Sequence, residues 1–196
     1  MMRNVKRAVF LSAAVHALSL TSIENKPHIS FRKKGRNAYY NPLTHRIVVS
    51  DSVLTQLDDR FIETMAAHEV CHVTQRSQIT RLFLGGMVPL LLAIFSLLSW
   101  VPLYWYGADR IWLVLSFALF ALLVLFSVCV TFPRFDRQRE RDEIEADFFA
   151  CKIQNDKTAM TRLLHELSEI ENEPLSGLAI KRIRAAQDFD FCKSTP

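Results

Sequence analysis

Two long stretches of this chain carry no charged side chain, and they constrain its fold more than any other feature. The first runs from Leu82 to Ala108, 27 residues. Asp109 and Arg110 interrupt it, and 23 further residues, Ile111 to Pro133, follow without a charge. A helix needs about 20 apolar residues to cross the hydrocarbon core of a bilayer, so each stretch suffices. Buried helices of a soluble core are the alternative, but uncharged runs of this length belong mainly to membrane spans. Trp100, Tyr104, Trp105, Tyr106 and Trp112 cluster around the interruption, as an interfacial aromatic belt does. The prediction is a transmembrane hairpin over 82–133, with a short loop near Leu103 to Arg110. Gly85, Gly86 and Pro89 fall in the first span, where neighbouring helices can tolerate them.

Charge placement sets the orientation. The loop has one basic residue, Arg110, whereas Arg76 and Arg81 precede the spans and Arg134, Arg137, Arg139 and Arg141 follow them. By the positive-inside rule both flanks are cytoplasmic. Three regions result: 1–81 and 134–196 on the cytoplasmic side, and the hairpin between them. Cys71, Cys129, Cys151 and Cys192 have no paired spacing, which excludes a disulfide scaffold and suits a reducing compartment. An apolar content of 50% excludes disorder. The net charge of +4 is too small to indicate nucleic acid. Arg3, Lys6 and Arg7 ahead of Ala8 to Leu20 resemble a signal peptide. Secretion would place the basic flanks outside, so this stretch is expected to be an amphipathic helix, with Val5, Val9, Ser12, Val15 or His16, and Ser19 on one stripe.

The polar regions alternate short extended pieces with helices. Residues 5–20 are predicted helical, His28 to Phe31 extended, and Arg32 to Arg36 a basic turn. Asn41-Pro42 marks a second turn, and β-branched Ile47, Val48 and Val49 a strand. Helices are expected at 52–59, 61–78, 136–153, 158–170 and 178–186.

The chemistry concentrates at His68-Glu69-Val70-Cys71-His72, an HExxH sequence inside the 61–78 helix. Residues i and i+4 lie about one turn apart on one face, so both imidazoles can reach one metal. Glu69, beside His68, can reach a water activated by that metal and act as general base. Cys71 lies off the shared face and is expected to fill core space, as Cys129 is expected to pack within its span. A catalytic zinc needs a third protein ligand and one open position. His165 stands alone. In the run Arg139 to Asp147, Glu143 and Asp147 are i and i+4, so one can ligate while the other supports a ligand histidine. Glu140 shares their stripe, whereas Glu145 points elsewhere.

HExxH, then a transmembrane hairpin, then Glu143-Ile144-Glu145-Ala146-Asp147 as ExxxD, resembles the membrane zinc peptidase family of HtpX and the CAAX prenyl protease. Lys26 to Phe31, Asn37-Ala38-Tyr39 and the segment His45 to Asp59 resemble that family's first strand, its Asn-Ala-Phe segment, and its next strand and short helix. The resemblance covers residues 5 to about 155. It implies a mainly α, α+β zincin-like domain with a small sheet, split by the hairpin. It implies one Zn2+ per chain, with His68, His72 and Glu143 as ligands, Glu69 as base and Asp147 supporting the ligands. It also implies a short edge strand that pairs with an extended polypeptide substrate. A single hairpin cannot build the prenyl protease's multi-span chamber, so the resemblance points toward HtpX-like members. The family's C-terminal His-Pro is replaced by Glu173-Pro174, and Arg182 comes a few residues late. Arg182 is expected either to attract an oxyanion or to hold an acidic neighbour.

The expected function is zinc-dependent endopeptidase hydrolysis of membrane or misfolded proteins, at a bacterial inner membrane with a cytoplasmic catalytic domain. Partners would be a polypeptide substrate and the bilayer, without nucleic acid. The alternative is a catalytically weak or inactive zincin-fold adaptor or sensor.

Overall fold

The computed structural model describes residues 2–35, 37–99, 104–105 and 110–188. The chain divides into two compact units. One joins Met1–Arg76 to Glu140–Pro196; the other is Ser77–Arg139.

In the first unit, α1 (Met2–Ser19) buries Phe10, Ala14, Ala17 and Leu18, the i, i+4, i+7, i+8 pattern of a one-faced helix. This buried stripe is not the one that begins at Val5. Val5, Val9, Ser12 and His16 instead line a groove together with Glu63, Ala67 and Ile153. Larger Phe10 claims the core, its ring edge-on to Phe31 at 6.3 Å. Polar contacts pin α1 at its start. Arg7 donates to the buried Asp51 at 2.7 Å, and Lys6 donates to the Leu57 carbonyl at 2.8 Å.

Three strands follow: β1 (His28–Arg32), β2 (Tyr39–Asn41) and β3 (Arg46–Ser50), in the order β1-β3-β2. β3 is central, parallel to β1 and antiparallel to β2, with Ile29 opposite Ile47 and Tyr40 opposite Ile47 on its other side. Ile47 and Val49 are fully buried, the period of two expected for a strand with one covered face. β2 lies within the stretch that the sequence shows only as a resemblance segment and a turn. Three residues are too few for alternation to show, and pairing with β3 makes them a strand.

Helix α2 (Asp51–Leu54) is shorter than the expected 52–59, because extended Asp58 caps the next helix, α3 (Asp59–Thr74). α3 is buried almost all round: Ile62, Met65, Ala66, Ala67, Val70 and Val73 join the core together with His68 and Glu69. It ends at Thr74, earlier than the expected 78. After Gln75 a new helix, α4 (Arg76–Leu98), begins.

The second unit contains most of α4, with Pro89 inside it, and α5 (Arg110–Phe126). Ser96, buried, donates from Oγ to the Ser116 carbonyl at 2.8 Å. Next to it Ala93 is also buried, the small-residue contact that lets apolar helices approach. Phe95, Leu98, Ile111 and Leu122 are exposed, a surface suited to lipid rather than water. Helical structure continues without a break from Arg110 to Gln154. Among the described residues this stretch is long and apolar enough to cross a membrane, and Met87–Leu98 is a shorter apolar helix. Of the expected hairpin loop, Tyr104 and Trp105 are described and exposed; residues 103 and 106–109, and with them the belt residue Tyr106, lie outside the described residues, as does Trp100. Cys129 is exposed rather than packed within the protein.

A π-helical turn, Ser127–Thr131, precedes α6 (Phe132–Gln154). Pro133 lacks an N–H and crowds the carbonyl four residues back, and a widened turn just upstream relieves both. α6 therefore starts earlier than the expected 136. It turns Asp142, Ala146, Asp147, Ala150 and Cys151 inward. Their small size lets the helix sit close to the core. Finally α7 (Ala159–Glu171) buries Met160, Leu163 and Leu167, and α8 (Gly177–Asp188) follows. Asn172 ends α7 in the left-handed conformation at φ 51°, one that asparagine tolerates. Asp156 ties α3 to α7 by accepting from both Arg60 and Arg162.

Candidate metal centre

α3 and α6 carry the ionisable groups that converge in the first unit. His68 and His72 sit one turn apart on α3, with ring centroids 4.7 Å apart and planes nearly perpendicular. Their Nε2 atoms face each other at 3.1 Å. The Glu143 carboxylate closes the triangle: Oε2 is 3.5 Å from His68 Nε2 and Oε1 is 3.7 Å from His72 Nε2. Two imidazoles and a carboxylate are a donor set of catalytic zinc. Ligand atoms about 2.0–2.1 Å from a tetrahedral zinc lie about 3.3 Å apart, so these spacings fit. The three residues form one group of potential metal ligands.

The opposite ring edges are also held. His72 Nδ1 meets Gln75 Oε1 at 2.8 Å. His68 Nδ1 lies 2.9 Å from Asp147 Oδ1, an ion-pair distance at an angle that falls short of a hydrogen bond. Arg182, from α8, donates through Nε and Nη2 to the two oxygens of Asp147 at 2.7 and 2.6 Å. Its Nη1 lies 3.0 Å from Glu143 Oε2.

The charges follow from these contacts. Burial disfavours a charged His68, but Asp147 and Glu143 outweigh it and push its pKa up to about 9. Burial and the neighbouring His68 push His72 down to about 4. The pair thus holds one positive charge where its Nε2 atoms and the Glu143 carboxylate meet. Burial would raise Glu143, yet His68 and Arg182 hold it near 2. Asp147, likewise opposed by burial, is held below the ordinary carboxylate range by Arg182 and His68.

Glu69 differs in kind. It is 5% exposed, and its Oε2 has no hydrogen-bond partner. Burial pushes its pKa up to about 7, opposed by the charge on His68 and more weakly by the nearby Tyr40 backbone. Tyr40 belongs to β2, so this carboxyl lies beside the edge strand of the sheet.

Every site residue expected from sequence is therefore in or against one cluster. Arg182 reaches the acidic pair despite its late position. Glu140 is elsewhere, paired with Lys181 at 2.7 Å, and His165 is exposed on α7. Cys71 is buried, and burial pushes its thiol up to about 12, so it is inert packing. Gln75 is a site neighbour that no sequence motif marks. Its spacing, i+3 from His72, is the signal that places it on the same helical face.

A buried HExxH helix facing a glutamate on a second helix places the molecule among proteins built like metallopeptidases. Peptidase family M48 matches residues 3–196, and the chain belongs to that family. It is 25% identical over 164 residues to a protease HtpX homolog of Bacillus subtilis (strain 168), covering 81% of this chain and 53% of that protein. A protease HtpX homolog of Bacillus velezensis is 26% identical over 127 residues, covering 64% of this chain and 41% of the relative. One of Bacillus pumilus is 24% identical over 164 residues, covering 80% and 53%. The chain thus spans about half the length of the curated relatives it matches, or less. No solved structure matches it.

Proposed function

We propose that this chain is a zinc-dependent, membrane-anchored endopeptidase. The observation that carries the reading is the convergence of His68, His72 and Glu143 at 3.1–3.7 Å beside the unpaired, buried Glu69 Oε2. His68, His72 and Glu143 would hold the zinc, which when bound would supply Lewis-acid polarisation of a peptide carbonyl and acidify water. Glu69 takes the water's proton at Oε2 and delivers it to the departing amide nitrogen. Burial lifts its pKa in the metal-free site, and a bound cation beside it would favour the ionised form that accepts the proton. Asp147 steadies His68 through Nδ1, and Gln75 steadies His72. Arg182 is occupied by Asp147 and Glu143, so its part is to position those carboxylates.

An extended polypeptide adds to the open edge of β2, beside Glu69. The hairpin over 82–133 anchors the domain to a bacterial inner membrane, with the site on the cytoplasmic side. Substrates are membrane or misfolded proteins close to the bilayer, as in HtpX-like quality control. That choice of substrate rests on analogy with the HtpX homologs.

The test is Glu69→Gln in the full chain. The variant should bind zinc with stoichiometry and affinity close to wild type and should lose casein cleavage. Cleavage near the wild-type rate would sink the mechanism. A wild type that binds zinc but cleaves no polypeptide would favour the adaptor reading.

A further inference from the structure

We propose that Gln75 is a positioning residue that fixes the tautomer and aim of His72; this rests on the metal-site reading above. Gln75 is 2% exposed and uses both ends of its amide. Nε2 donates to the Asp142 carbonyl at 3.0 Å and to Glu145 Oε2 at 3.1 Å. A backbone carbonyl only accepts, so the donor end of the amide must face it. Oε1 is thereby turned toward His72 Nδ1, 2.8 Å away. An amide oxygen can only accept, so His72 must carry its proton on Nδ1. Its Nε2 is then a lone pair aimed at His68 and Glu143. A ligand imidazole needs this arrangement, and partners on the far nitrogen enforce it.

Chain topology explains why the residue sits where it does. Gln75 is the C-cap of α3, next to Arg76, the last residue before the chain leaves the first unit. The chain returns at Glu140, and Asp142 and Glu145 follow within five residues. One buried amide therefore ties the end of the HExxH helix to the turn of α6 that carries Glu143. All three proposed ligands come from the two helices it joins. Glu145 is not among the proposed ligands, but it helps orient this amide.

The test compares Gln75→Met and Gln75→Glu with wild type, using the full chain in detergent. Zinc affinity is measured by chelator competition, and the stability of the metal-free protein by denaturant titration. Methionine fills the space but offers His72 no acceptor. Its zinc affinity should fall about 10–100-fold, the size of other losses behind a ligand histidine. Glutamate, made together with Glu145→Gln so that the lost donor is returned from the other side of that contact, keeps the acceptor toward His72 without facing a second carboxylate, and its zinc affinity should stay within about threefold of wild type. A merely structural strut would make zinc affinity track stability instead of the acceptor. Methionine and glutamate variants that lose zinc affinity equally would overturn the proposal. So would a methionine variant that binds zinc like wild type. If the methionine variant does not fold, a folded glutamate variant more than about tenfold weaker is by itself enough to overturn it. A wild-type chain that binds no zinc would fail the metal-site reading itself, whereas zinc binding indifferent to Gln75 would fail this inference alone.

Discussion

Removing the Arg182 guanidinium should be among the most damaging single changes in the first unit. It makes three charge-assisted contacts at 2.6, 2.7 and 3.0 Å, two with Asp147 and one with Glu143. Asp147 is 1% exposed, so Arg182→Ala leaves a buried carboxylate with only His68 for charge balance. Breaking a buried pair from one side costs about 3–5 kcal/mol. Arg182 also disfavours the positive charge on His68. Its loss lets that imidazolium compensate in part, which favours the lower end, about 3 kcal/mol. With a urea slope of about 2 kcal/mol per M, the midpoint should fall by about 1.5 M. All three tryptophans, Trp100, Trp105 and Trp112, belong to the second unit. With no tryptophan in the first unit, the assay is pulse proteolysis of the metal-free full chain. Arg182→Lys keeps the charge without the two-pronged geometry and should lose roughly half as much. Arg182→Met combined with Asp147→Asn removes both charges and should be more stable than Arg182→Ala alone. An Arg182→Ala protein within about 1 kcal/mol of wild type would refute the buried network as the source of this stability.

Two further outcomes are expected. Glu143→Ala should lose zinc affinity and cleavage together, whereas Asp147→Ala should weaken zinc about 10–100-fold without abolishing it; chelator competition separates the two, and equal losses would merge their roles. For topology, a reporter fused at the C-terminus should read cytoplasmic and one inserted near Gly107 should read external; a C-terminus found outside would reverse the orientation.

The metal helix was legible because its information is local. His68, Glu69 and His72 lie within five residues, and helical periodicity alone brings both imidazoles to one face. The uncharged stretches were legible for a similar reason: the lack of charge over 20 or more residues is a property of composition, whatever the neighbours. α1 was recognisable as a helix, but its inward face was not. Val5, Val9 and Ser12 make as regular a stripe as Phe10, Ala14 and Ala17, and only contact with the core chose the second. β2 needed β3 beside it, since three residues show no period of their own. Spacing left Glu140, Glu143 and Asp147 as alternatives, and the family resemblance chose Glu143. The fold separates them physically. Glu140 faces Lys181, Glu143 faces both histidines, and Asp147 is turned to His68 and Arg182. Arg182 is 35 residues from Asp147, and Gln75 is 67 from Asp142. Periodicity cannot see contacts at that separation. They exist because α3, α6 and α8 pack together, and burial makes each unpaired charge or amide there too costly to leave alone.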